Sequence, residues 1–500
     1  VTAKAIAAAA PADLSGERRE LKRKTFGSIL WTVARVGSDQ VFSFLVFAIL
    51  ARRLTPHDMG LFALALACAE LGKLVATAGF PEAIIRDDNP DRELTDTLFW
   101  ANLLFSMAVA GLLYGAAAPI AGFFQEPGLT PILQATACIV PVAALGGVHT
   151  ACKLREFGHK SMAVRSAASG LIGGGLGVYL AFTGWGVWSL VAQRAAMETV
   201  STLLAWGAYP WLPRLNVSFK RLGRVLKFSA NMMINQVIWF AMVRSQDVVV
   251  GRVMTAASVG VYRVSWRAVD LTTQFAIGPF GTAALPFFAR LAGDRAAFAN
   301  AYTRLLSAMA LVAFPAMLGL GAVADELVPM VFGGQWTEAG HIARILSLLA
   351  VPTVLNALFS PALAALGKSG TIAWIASIQL AATVGLVLAA APFGLEAVAA
   401  AYVLRAYLLF PLQLWLLRRA AGVRIRAVIR SIFLPLLAAL VMAGAILAAE
   451  PELRLSLGSG VEYLAKVITG GAGIYSLVLM VLGGPYFMNQ IRALRTVLKK

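Results

Sequence analysis

Charge, cysteine and histidine are all scarce in this sequence. Asp, Glu, Lys and Arg make up 14% of its 500 residues against 59% hydrophobic, and the mean hydropathy is +0.75. So little polar surface cannot coat a water-soluble globule of this length, which makes a lipid bilayer the expected solvent. No long polar interval separates the apolar runs between Phe26 and Leu482, so the chain reads as one membrane domain. The three cysteines, Cys68, Cys138 and Cys152, lie in or beside apolar stretches without a CxxC pair. That spacing excludes a disulfide framework and a zinc site and leaves them as small core residues. His57, His149, His159 and His341 show no HExxH-like spacing and are expected at interfaces or in loops. The glycine-rich run Gly170–Gly177 lacks a P-loop lysine and sits inside an apolar stretch, where its spacing predicts close helix packing. No metal, cofactor or catalytic constellation is expected, and the chain does not read as an enzyme.

Basic residues, by contrast, are in excess: 43 Lys and Arg stand against 25 Asp and Glu, a formal net charge of +18. Windows of about 20 apolar residues predict spans near 26–50, 61–80, 97–118, 131–151, 162–182, 187–207, 228–250 and 259–284, then 305–331, 341–366, 371–391, 395–417, 428–449 and 461–482. With fourteen spans and both termini inside, thirty of the 43 basic residues fall in the cytoplasmic tails and loops and four outside: Arg52, Arg53, Arg252 and Arg454. The excess charge is thus juxtamembrane, where it meets anionic membrane lipids, and nucleic acid is excluded as a partner. Residues 1–24 are expected to be a cytoplasmic tail, because the charged block Glu17–Lys24 leads into an apolar stretch with no small-residue cleavage pattern. Pro279, Pro286, Pro315 and Pro352 are expected to kink or end their helices, and Trp185, Trp188, Trp206, Trp211 and Trp336 to anchor span ends at the interface.

A shift of 200 residues aligns the end of the first span and the second span with the end of the seventh and the eighth. Arg52, Thr55, Gly60, Leu71, Ala76, Phe80 and Ala83 then meet Arg252, Thr255, Gly260, Leu271, Ala276, Phe280 and Ala283, while Glu70 meets Asp270. The expected fold class is therefore an all-α polytopic membrane protein of about fourteen helices. Its parts are a tail at 1–24, a six-helix bundle at 25–210, a basic cytoplasmic linker at 211–227, a second six-helix bundle at 228–418, and two extra helices with a basic tail at 419–500. Duplicated bundles of this kind hold substrate at the repeat interface and rock to give alternating access.

The turn Ala51-Arg-Arg-Leu-Thr-Pro-His-Asp-Met-Gly-Leu-Phe62 follows a polar-striped first span. In the second half come Ser245-Gln-Asp-Val-Val-Val-Gly-Arg252, Gly260-Val-Tyr-Arg-Val264 and Leu285-Pro-Phe-Phe-Ala-Arg290. These blocks resemble bacterial polysaccharide flippases, the Wzx-like transporters of the multidrug/oligosaccharidyl-lipid/polysaccharide exporter superfamily, although Thr55 and Thr255 stand where that family often has Gly. The resemblance implies translocation of undecaprenyl-diphosphate-linked oligosaccharide repeat units across the inner membrane for exopolysaccharide, capsule or O-antigen assembly. It also implies a polysaccharide polymerase and chain-length machinery as partners. A multidrug or cation antiporter of the same superfamily is the alternative, though twelve spans are its usual number. A membrane polysaccharide polymerase is less favoured, since every external loop is short.

Charges inside spans cost about 2.5–3.5 kcal/mol each on insertion scales and so face partners or a wet cavity. Here they fall in stripes. Ser28, Thr32, Arg35, Asp39 and Ser43 share one face of the first span, and Arg263, Arg267, Asp270 and Gln274 one face of the eighth. Span 7 adds Gln236, Arg244 and Asp247, span 6 Arg194 and Glu198, and span 2 Glu70 and Lys73; Arg344, Arg405 and Lys466 have no obvious neighbour. Each pair alone reads equally as a self-neutralising ion pair. Stripes in both halves favour a polar cavity whose guanidinium forks bind a diphosphate, with the acids preventing too tight a grip.

Overall fold

The computed structural model describes residues 40–498, apart from 78, 87–90, 157, 458 and 459. Its helices, in chain order, are α1 (residues 40–53), α2 (Pro56–Thr77), α3 (Phe80–Arg86), α4 (Arg92–Gly115), α5 (Ala117–Phe124), α6 (Leu129–Arg155), α7 (His159–Phe182) and α8 (Trp188–Ala208). There follow α9 (Phe219–Val253), α10 (Ala256–Ala289), α11 (Arg295–Phe332), α12 (Thr337–Ser347), α13 (Ala350–Ala365), α14 (Ser369–Ala390), α15 (Leu395–Ala421), α16 (Ile425–Leu457) and α17 (Val461–Leu498). The protein is thus an all-α, multi-pass membrane protein. Among the described residues, eight helices are long and apolar enough to cross a bilayer, or nine if the bent pair α12–α13 is one span. The charge-bearing α8, α9 and α10 are not among the eight, because ionised side chains subtract from the hydropathy that marks a span.

None of Pro279, Pro286 and Pro315 ends its helix. α10 runs through Pro279 and Pro286, and α11 through Pro315 and Pro329. Pro352 lies in the first turn of α13, where its missing N–H would have had no partner. The stretch expected as one span at 341–366 is broken there, with α12 and α13 meeting at 60°.

The chain forms two compact units. Among the described residues, the first comprises 40–50, 68–118 and 130–234; the second comprises 51–67, 119–129 and 235–498. In the first unit α7 and α8 are close neighbours because Gly173 and Gly177, one turn apart, let the backbones approach. A Cβ on Gly177 would sit 2.8 Å from the Gln193 Cβ, and one on Gly173 2.9 Å from the Gln193 carbonyl oxygen. The chain after α8 is strapped onto α4: Arg214 N–H donates to Asp96 Oδ1 (3.0 Å), Ser218 N–H to Thr97 Oγ1 (3.0 Å) and Trp100 Nε1–H to Arg214 O (2.9 Å). His149, expected at an interface, is instead fully buried, stacked on Trp206 at 4.4 Å and 3.0 Å from the Trp211 carbonyl. Trp206 donates to Leu145 O, so it and Trp211 cover this core, whereas Trp185 and Trp188 are exposed as an anchor would be. Cys152 is buried but Cys138 is exposed on α6, outside the core.

In the second unit the repeat becomes a physical contact. Thr55 and Thr255 cap α2 and α10 by accepting from the N–H groups of Asp58 (3.1 Å) and Ser258 (3.2 Å), which is why threonine suits those positions. A Cβ on Gly60 would overlap the Ala256 carbonyl oxygen, a Cβ on Gly260 would overlap that of Pro56, and each would lie 3.1 Å from the other glycine's N. The two contacts are related by the same 200-residue shift as the sequences. Around them, Arg52 donates to the last carbonyls of α11, Met330 and Val331, while Arg252 lies 5.4 Å above the Phe123 ring at the end of α5. Trp336, expected as an interface anchor, is completely buried and donates to Ala51 O at 2.8 Å.

Candidate functional site

The charges of α2 and α8 gather into one cluster in the first unit, and those of α9 and α10 into another in the second. In the first unit, Arg194 and Glu198 are one turn apart on α8, so Nη2 reaches Oε1 at 3.0 Å. Lys73, projecting from α2, donates to the same oxygen at 2.8 Å. Sequence spacing pairs Lys73 with Glu70; the fold takes it across to α8 instead, and Glu70 is half-buried with interactions of its own. Arg165, in the second turn of α7, is a further cation here. Its Nη1 donates to Thr150 Oγ1 at 2.6 Å, and its charge bears on Glu198. Ser166 and Ser169 follow it on α7, and these two serines are the signal in the sequence that marks this part of the helix as polar.

Both serines line a cavity of about 430 Å³ in this unit, together with Phe42, Ser43, Gln193 and Met197. Ser43 is the one described member of the stripe expected on the first span; Arg35 and Asp39 lie outside the described residues.

In the second unit, Asp247 on α9 is the focus. Arg244 approaches it from one turn earlier at 3.5 Å, and Arg263 of α10 pairs with the same Oδ2. Beside it the buried Gln246 accepts a hydrogen bond from Tyr262, fixing α9 against α10. Arg267 and Asp270 continue the stripe of α10, and the charges of Arg263, Arg267 and Arg244 all bear on Asp270. Among the described residues, three arginines and two aspartates thus meet on α9 and α10. Planar guanidinium donors in such a group suit the paired oxygens of a phosphate.

The three cations without an obvious neighbour each find one. Arg344 pairs with Asp325 at 2.9 Å, beside His341 at 3.0 Å from the same carboxylate. Arg405 donates to Thr383 Oγ1 at 2.9 Å and lies 4.3 Å over the Tyr402 ring, and Lys466 meets Glu462 at 2.8 Å. Among the described residues there is no group of three or more His, Cys, Asp or Glu placed to hold a metal ion.

A family model described as polysaccharide biosynthesis protein matches residues 49–341. The chain is similar to the succinoglycan biosynthesis transport protein ExoT of Rhizobium meliloti, 28% identical over 359 residues, which is 71% of this chain and 72% of that protein. It is also similar to the teichuronic acid biosynthesis protein TuaB of Bacillus subtilis, 24% identical over 415 residues, 81% of this chain and 85% of that one. Among solved structures it resembles the lipid II flippase MurJ in an inward closed conformation. The TM-score is 0.72 over 91% of this chain and 98% of that chain, at 13% identity. At that identity the likeness is one of fold.

Proposed function

This chain belongs to the polysaccharide biosynthesis protein family, and on that premise we propose that it is a flippase for undecaprenyl-diphosphate-linked oligosaccharide repeat units. It works by alternating access in the bacterial inner membrane, for exopolysaccharide, capsule or O-antigen assembly. The observation that carries this reading is the gathering of three guanidinium groups, Arg244, Arg263 and Arg267, around Asp247 and Asp270 on α9 and α10. A diphosphate entering there gains charge-assisted hydrogen bonds of about 1.5–3 kcal/mol each. Lys73 and Arg194, held by Glu198, form the corresponding cationic group of the first unit. ExoT, TuaB and MurJ bear names that speak of polymer transport, polymer biosynthesis and lipid-linked precursor flipping, and they support the same substrate class.

The full span count belongs to this proposal: fourteen crossings, with both termini cytoplasmic, six in each repeat and two more in α16 and α17. The charge-bearing helices then cross as members of the bundle, their ions shielded by partners. Reporter tags should place Arg221 and Arg424 in the cytoplasm and Gly458 in the periplasm. Deletion of the gene tests the function. Surface polysaccharide should be lost while undecaprenyl-linked repeat units accumulate on the cytoplasmic leaflet; normal polymer with heightened drug sensitivity would favour an antiporter instead.

A further inference from the structure

We propose that the α16–α17 pair carries a binding site for an anionic phospholipid, separate from the charge clusters on α2, α8, α9 and α10. A groove of about 630 Å³ opens along this pair. Its polar end is Arg426 and Arg430, which lie one helical turn apart on α16 and therefore point to one side. Below them the wall is apolar, with Ile429, Phe433, Leu437 and Leu482. Ile429, Phe433 and Leu482 are exposed, as surfaces meant for acyl chains are. The acids of α16, Glu450 and Glu452, sit at the other end of that helix, so among its described residues no acid lies beside the arginine pair.

α17 is kinked at the edge of this groove. Gly484 has φ +35° and ψ −118°, a conformation that lets the last helix change direction beside Gly483 at the groove's edge. Two guanidinium groups above an apolar slot match a phosphate headgroup above a hydrocarbon chain, in charge and in polarity order. A zwitterionic lipid offers its phosphate only alongside a cation that the arginines repel. The occupant is therefore a resident anionic lipid of the surrounding leaflet.

The test uses the full chain, purified in mild detergent, with phosphatidylglycerol, phosphatidylcholine and farnesyl diphosphate as probes and native mass spectrometry or tryptophan quenching as readout. Phosphatidylglycerol should bind and phosphatidylcholine should not. Arg426→Gln and Arg430→Gln should each weaken phosphatidylglycerol binding about fivefold, and the double variant about thirtyfold. Both side chains are exposed, so these variants keep the native elution profile. Arg424→Gln, two residues away and outside the groove, should leave binding unchanged. An equal loss with Arg424→Gln would mean diffuse attraction to the basic loop and would overturn the site. Displacement of phosphatidylglycerol by farnesyl diphosphate, lost in the double variant, would assign the groove to an isoprenyl substrate and overturn the proposal equally.

Discussion

In the first unit two cations from different helices meet on Glu198, whose side chain keeps 15% of its surface exposed, whereas in the second Arg244 and Arg263 close on Asp247, which keeps 2%. The local sequence is similar in kind, an arginine and an acid one helical turn apart. What differs is burial. A partly exposed carboxylate can lose a cationic partner at modest cost, while a fully buried one cannot do so without leaving a bare charge behind. Asp247 ties α9 to α10 through Arg263, and Glu198, joined by Lys73 and Arg194, is the more exposed of the two acids.

Loss of Asp247 is expected to cost the most. Asp247→Ala should destabilise the protein by about 3–5 kcal/mol, because two arginines lose their dry counter-ion; Glu198→Ala should cost clearly less. Thermal unfolding followed by fluorescence-detected gel filtration measures both, and equal losses would show that burial does not distinguish the clusters.

Next in size are the mirrored glycines, where the repeats touch within one unit. Gly60→Ala and Gly260→Ala each put a methyl group onto a backbone carbonyl, and overpacking of that kind costs about 1–3 kcal/mol. Since the contacts are related by the same shift, the two losses should be alike in the same melting assay. A loss at one glycine only would break the symmetry.

Smallest in stability but sharpest in mechanism is Glu198→Gln. It should cost on the order of 1 kcal/mol while leaving Lys73 and Arg194 uncompensated, so a diphosphate probe should bind more tightly and export should slow. Weaker probe binding would show that Glu198 organises the site rather than loosening its grip.

Periodicity makes the helical elements and the polar faces legible. Arg194 with Glu198, and Arg244 with Asp247, are neighbours on a single helix and need only the spacing of one helical turn to be found. Lys73 reaching Glu198, and Arg263 reaching Asp247, depend on which helices become neighbours, and a spacing within one helix holds no record of that. His149 and Trp336 depart from expectation for a related reason. Aromatic and imidazole rings near a span end read as interfacial, yet each here has a carbonyl from a distant segment to satisfy its polar atom, Trp211 O and Ala51 O respectively, and is buried for that reason. The repeat is visible in the sequence as matched residues, but its contact through Gly60 and Gly260 requires the fold.

The central claim is that the arginines of these clusters grip a diphosphate through paired donors rather than serving as structural counter-ions. Arg244→Lys, Arg263→Lys and Arg267→Lys, with Arg35→Lys beside them, keep the charge and remove the planar fork. Export of surface polysaccharide should be measured in a deletion strain complemented with each variant and normalised to the amount of protein in the membrane. At least a tenfold fall in export, the worth of about 1.4 kcal/mol, is expected at normal membrane levels; full export by all four lysine variants would make these arginines structural counter-ions only.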